Sequence, residues 1–121
     1  VCIETVDAGE LPCPIVRRPD GSLESCGGDM SSPACLISEI QPDRAPVDFT
    51  VLPFYSREQA ERIGMISAHY MTDVYASHRG RQLGYETVVR HGYELVHHRS
   101  TVGRLDISAE DHRIYNEAMA A

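Results

Sequence analysis

The sequence predicts an α+β fold in which an irregular, cysteine-bearing β region of short strands and one hairpin, residues 1–52, precedes a three-helix region, residues 56–119. Three observations carry that reading. The first 46 residues are short apolar runs broken by proline, glycine and serine, the residues of turns. From Ser56 onward the apolar residues recur at intervals of three and four, the period of one helix face. All four cysteines, Cys2, Cys13, Cys26 and Cys35, fall within the first 35 of 121 residues. A chain of this length is close to the commonest single-domain size, so residues 1–121 read as one domain with a cysteine-rich β/loop arm and a helical region.

The elements follow from local chemistry. Pro12 and Pro14 hold Cys13 between them in extended conformation. Over residues 15–25, Pro19, Asp20 and Gly21 separate two short runs: proline presets the first bend and glycine accepts a positive backbone dihedral, which predicts a β-hairpin. Residues 35–40 and 47–52 read as two more strands, and in the second Val47, Phe49 and Val51 alternate with Asp48 and Thr50. Ser56 and Gln59 have the spacing of a capping box. Ile63, Ile66, Tyr70, Met71, Val74 and Tyr75 continue one helical stripe, which His78, Arg79 and Gly80 end. A second helix is expected over 82–99 from Tyr85, Val88, Val89, Gly92, Leu95 and Val96, weakened by about 1 kcal/mol at each of Gly84 and Gly92. Ser108 caps a last helix over 109–119, with Asp111 near its positive end.

Composition removes several functions. All 11 basic residues are arginine, so the phosphate-binding lysine of a P-loop, the Schiff-base lysine of a pyridoxal enzyme and the nucleotide-binding lysine of a kinase are absent. The net charge of -7 argues against nucleic-acid binding, which needs clustered positive charge. No apolar run approaches the roughly 18 residues of a membrane span. Charge is uneven along the chain: residues 1–50 hold nine acids against Arg17, Arg18 and Arg44, whereas residues 78–104 hold Arg79, Arg81, Arg90, Arg99 and Arg104 against Glu86 and Glu94. Opposite regions of this kind can orient a partner or a second copy.

The cysteines sit in a stretch too poor in apolar side chains to offset its own chain entropy, so it is expected to need staples or a supporting surface. Three states of Cys2, Cys13, Cys26 and Cys35 are open. They are reduced thiols packed as small hydrophobes, or two disulfides worth about 2.5–3 kcal/mol each, or ligands of zinc or an iron–sulfur cluster. The nearest pair has eight residues between its members, wider than a zinc knuckle, which weakens the metal reading.

The histidine-rich segment over 90–98 offers a weaker metal alternative. On a helix His91, Glu94 and His98 would share a face, and Glu94 with His97 has the E-x-x-H spacing of carboxylate-bridged di-iron bundles, of which the chain has one copy where two are needed. The same positions form a ladder of Glu86, Arg90, Glu94 and His98 at intervals of four, a pattern common on solvated helix faces. His69 and Asp73, one turn apart, are a conceivable base and orienting carboxylate, but no nucleophile is marked out near them.

No coherent catalytic set emerges, and the helices carry repeated tyrosines suited to interfaces. The expectation is a non-catalytic structural or interaction subunit of a larger assembly, bound to a protein partner or to its own copies, with the cysteine-bearing arm as the docking element. A small metalloprotein using the four cysteines is the alternative, and a small metal-dependent enzyme using the His91, Glu94 and His98 face is the third.

Overall fold

The computed structural model describes residues 1–66, 71–98 and 109–120. The elements run α1 (Cys2–Asp7), β1 (Leu11–Arg17), β2 (Leu23–Ser25), α2 (Arg57–Ile63), α3 (Thr72–Gln82), β3 (Thr87–Val96) and α4 (Ala109–Ala120). The fold is mixed α+β, with a small sheet in the order β2-β1-β3 and α2, α3 and α4 all after residue 56.

β1 is the centre of the molecule, and its composition explains why. Every residue of it except Arg17 is buried, as a strand covered on both faces requires. β2 pairs with it antiparallel only at its far end, Val16 to Ser25 and Arg17 to Leu23, through the expected hairpin. Pro12 and Pro14 therefore occupy the stretch that β2 does not reach, where their missing N–H groups cost no ladder bond on that side. On the other side β3 runs parallel, from Leu11 opposite Thr87 to Arg17 opposite Val96. Between Cys13 opposite Val89 and Ile15 opposite Glu94 the register shifts, so that two steps along β1 match five along β3. Gly92, at φ 92°, lies in that excursion.

β3 replaces the helix expected over 82–99. Thr87, Val88, Val89 and Arg90 are all buried in succession, so the segment is covered on both faces, and its β-branched run suits a strand. The apolar residues that made a helical stripe also fit a strand, and pairing with β1 decides between them. The helix expected from Ser56 to Gly80 is likewise two helices: Gly64, at φ 75°, ends α2, and α3 starts after Met71, at φ 72°. The capping box at Ser56 and Gln59 is present as expected. Gly80 does not stop α3. It admits Leu11, whose Cδ1 would lie 2.9 Å from an added Cβ, and the helix runs on to Gln82 with Gly84, at φ 92°, just beyond. The strands expected over 35–40 and 47–52 reduce to single bridges, Gly28 to Leu36 and Gly28 to Phe49. Tyr70, Ser108 and His69 lie outside the described residues, as do Arg99 and Arg104. α4 matches the expected last helix closely, and α1 was not foreseen from the sequence.

Two apolar clusters form along β1. At its start Leu11 packs with Ile63, Tyr75, Ala76 and Tyr85, with Tyr115, Ala118 and Met119 of α4 against them. Further along, Cys13 and Ile15 pack with Cys26, Val47 and Val89. The sheet thus joins the cysteine-bearing segment to the helical region through β3. Among the described residues, no helix is long and apolar enough to cross a membrane.

Candidate functional site

The cysteines do not converge. Cys13 and Cys26, 1% and 0% exposed, are neighbours in the second cluster, while Cys2 sits on α1 and Cys35 in the loop after Gly28, both half-buried; all four are free thiols. Among the described residues, no three histidine, cysteine, aspartate or glutamate side chains gather as a metal site would require. Burial pushes the Cys13 thiol up to about 12, further than the neighbouring Thr50 hydroxyl pulls it back. A thiolate is the reactive form, so Cys13 is chemically quiet. Cys26 accepts a hydrogen bond from the Gln41 N–H at 3.4 Å, which makes its sulfur part of the loop's framework.

The histidine face does not form either, because its helix is a strand. His91 Nε2 donates to the Gln41 carbonyl at 2.7 Å, and its backbone N–H goes to Asp43 Oδ1 at 2.8 Å. Glu94 pairs instead with Arg17 at 3.0 Å, and His98 lies exposed beyond the strand's end. His97, expected beside Glu94, meets Glu24 at 2.7 Å. The ladder neighbour Arg90 turns inward: buried, it donates to the Thr5 hydroxyl and lies 3.3 Å from Asp43 and 3.5 Å from Glu4. These groups tie α1 and the 41–45 loop to β3. Asp73 is partly buried, which raises its carboxyl, and its Oδ1 is taken by the Val74 N–H.

The surface with an unexplained character lies elsewhere. Thr50, fully buried, is pinned where its N–H donates to Ser77 Oγ at 3.2 Å, and Ser56 is pinned by its capping box. Between those anchors the chain crosses the surface with four apolar residues in a row, Leu52, Pro53, Phe54 and Tyr55, all exposed. Pro53 has no N–H to offer a ladder, which disfavours an interior strand here. Phe54 meets Tyr93 of β3 edge to face, with ring centroids 6.4 Å apart. Tyr55 and Pro53 face a cleft of about 250 Å³ completed by Gly64, Met65, Ile66, Thr72, Tyr75 and Ala76.

The cleft has fixed walls. Tyr75 donates its hydroxyl to the Ile63 carbonyl at 3.3 Å. Behind the lining, Arg62 donates to the Tyr85 hydroxyl at 2.6 Å while its guanidinium lies 5.2 Å from that ring's centroid, and Tyr85 packs in the same cluster as the cleft residue Tyr75. Met65, just past the glycine that ends α2, is 86% exposed, the highest value of any large apolar residue described. The exposed side of α2, the helix that leads into Gly64 and Met65, carries Arg57, Glu58, Glu61 and Arg62, two charges of each sign, with Arg57 and Glu61 paired at 3.1 Å. Sequence reasoning passed over this surface by assigning residue 52 to a strand. The signal was present: proline inside an apolar run, directly before a helix cap, marks a loop whose apolar side chains have no strand face to bury them.

Comparison with known proteins finds no matching family model, no matching curated protein and no matching solved structure.

Proposed function

We propose that the chain is a non-catalytic interaction subunit that docks on a protein partner through residues 52–55 and the adjoining cleft. The observation that supports this is the run of Leu52 at 42%, Phe54 at 37% and Tyr55 at 36% exposure, with Pro53 exposed between them and Met65 standing out beside the cleft. Runs of three or four exposed apolar residues are avoided on protein surfaces unless something covers them. A cleft of this size accepts one or two side chains, the form in which interface anchors are usually seated. In this reading the cysteine-bearing segment supports the surface by building the sheet beneath it, and the docking element is the helical side of the molecule.

The test is affinity capture from the native source with the wild-type chain and with a Phe54→Ser/Met65→Asp double variant of matching circular dichroism. A protein held by the wild-type chain and lost from the variant, whether another chain or further copies of this one, is the expected result. Equal recovery by both, or none by either, sinks the proposal.

A further inference from the structure

We infer that β3 pairs with β3 of a second copy of the chain along the part of its outer edge that the chain leaves open, so that two sheets join across a twofold axis through Leu95. The inference concerns a different surface from the docking cleft and does not rest on it.

The backbone decides which groups are open. In a parallel ladder alternate residues of a strand turn both backbone groups to one neighbour, and the residues between turn theirs away. Along the first half of β3 the outward residues are Thr87 and Val89, and the chain covers them itself. Thr87 C=O accepts from the Val47 N–H at 3.0 Å, and Val89 accepts from the Arg44 N–H at 2.7 Å and donates to the Ala45 C=O at 2.9 Å. Asp43 Oδ1 takes the His91 N–H at 2.8 Å, and there this cover ends. Past Gly92 the register on β1 has shifted, with Ile15 opposite Glu94 and Arg17 opposite Val96, and the His97 N–H donates to the Arg17 C=O at 2.8 Å. Tyr93, Leu95 and His97 therefore serve β1, while Glu94 and Val96 point N–H and C=O outward. Among the described residues no strand or bridge pairs with them: β3 is the last strand of the sheet, and the bridge on its outer side is Pro46 to Val88. Such edges are normally blocked by proline, lysine or a charge. β3 has neither proline nor lysine, and the one charge at its open positions, Glu94, is matched by Arg17 at 3.0 Å.

What fits an open edge is another extended backbone, and three features select the chain's own β3. The first is the set of open groups. An antiparallel pair about a twofold through Leu95 sets Glu94 opposite the partner's Val96 and Val96 opposite the partner's Glu94, and each facing pair exchanges both of its bonds. Every open group of both strands is then used, and no other is required. The second is the side chains. Leu95 meets the partner's Leu95 with Cα atoms about 4.5 Å apart, and Val96, 56% exposed in one chain, is covered by the stem of the partner's Glu94. A twofold through Glu94 would oppose two carboxylates, and one through Val96 would draw on His98, beyond the end of the strand. The third is length. The open run is closed at its start by Asp43, so a longer strand added there would meet the 41–45 loop, whereas in the twofold pair each copy's loop lies outside the bonded residues.

Amide exchange on the wild-type chain tests this without any variant. Light scattering is expected to give twice the 13.4 kDa chain mass at high concentration and the single mass on dilution. At the doubled mass the Glu94 and Val96 amides should exchange about tenfold or more slower than at the single mass, while Leu95 and His97 stay protected at both. Edge pairing produces that alternation, and association through any other surface leaves Glu94 and Val96 fast. Val96→Pro removes an outward N–H and spares the Leu95 and His97 bonds to β1, so a folded variant should stay at the single mass. Leu95→Arg, which sets like charges across the axis, should do the same. A wild-type chain that stays single at all concentrations, a doubled mass with fast Glu94 and Val96 amides, or a folded Val96→Pro chain that still doubles would each overturn the inference. Phe54→Ser/Met65→Asp is expected to leave the doubling intact. If it abolishes the doubling, the copies meet on the docking surface, so the edge pairing is wrong and the docking reading stands. Capture repeated with Val96→Pro added to both chains reports on the docking surface alone.

Discussion

The two ends of β1 close their cores in opposite ways. At the Cys13 end the chain has few large side chains and fills the space with backbone, sulfur and glycine: Cys26 is fully buried, Gly27 admits Val47 and the Cys13 sulfur, and Gly28 lies under the ring of Phe49. At the Leu11 end large side chains are abundant, with Tyr75, Tyr85, Ile63 and the α4 residues Tyr115 and Met119 in one cluster, and apolar groups are left over on the outside. A region poor in apolar mass achieves closure by close approach. A region rich in it buries what the fold needs and presents the rest. The first end should therefore be intolerant of added volume, and the second should be tolerant of substitution at its surface.

The sharpest way to break that contrast is Gly28→Ala. An added Cβ would sit 2.1 Å from the Phe49 ring, so the ring must leave a site where it is 5% exposed. Overpacking of this kind costs about 3 kcal/mol. Urea denaturation is expected to show that loss, and Phe49→Leu in the same chain should recover part of it. A loss below about 1 kcal/mol would mean that the close approach is not what holds this end.

Next comes Arg90→Ala, which acts beside the Cys13 end, one residue beyond Val89. Arg90 is the buried link among Thr5, Glu4 and Asp43. Breaking a buried pair usually costs 3–5 kcal/mol, but both carboxylates here remain partly solvated and can rehydrate, which reduces the expected loss to about 2 kcal/mol. Amide exchange over α1 should rise with it. Unchanged protection there would detach α1 from this network.

A third test uses the sulfurs. With the folded pKa of Cys13 raised from 9.0 to about 12, the folded state keeps a proton that the unfolded state releases, so stability is intact below pH 9 and declines as pH rises toward 12. At pH 10 the difference is about 1.4 kcal/mol. Burial raises Cys2, Tyr93 and Tyr115 in the same direction, so the diagnostic quantity is the difference between wild type and Cys13→Ala, whose alkaline slope should be shallower. Under native conditions a thiol reagent should label Cys2 and Cys35 well before Cys13 and Cys26. Four equal rates would remove the thiols from the core.

What the sequence made legible is what local chemistry decides. The hairpin over 15–25, the capping box at Ser56 and the helix after Ser108 are set by residues within a few positions of one another. β3 was not legible because its apolar spacing serves a helix and a strand equally, and only its partner on β1, more than 70 residues away, decides. The same holds for the cysteines: the front segment was expected to need a supporting surface, whereas a core made of the sulfurs themselves depends on Val89 of β3 arriving from outside that segment. The candidate surface was hidden for a related reason. Exposure of Leu52, Phe54 and Tyr55 is a property of the anchors at Thr50 and Ser56, and no periodicity reports it.

The smallest effect on the fold, and the most useful, is expected at Met65. Its side chain is 86% exposed, so Met65→Ser removes almost no buried area and should leave stability within about 0.5 kcal/mol of wild type. If Met65 is an interface anchor, the same change should lower association markedly, because anchors gain their burial only when the partner arrives. A fold-neutral, association-damaging substitution beside the Gly28→Ala result would place the two ends of β1 in different roles, one holding the structure and the other presenting it. Should Met65→Ser instead destabilise the monomer by 1–2 kcal/mol, the methionine is packed in solution and the surplus of apolar surface at this end is not available to a partner.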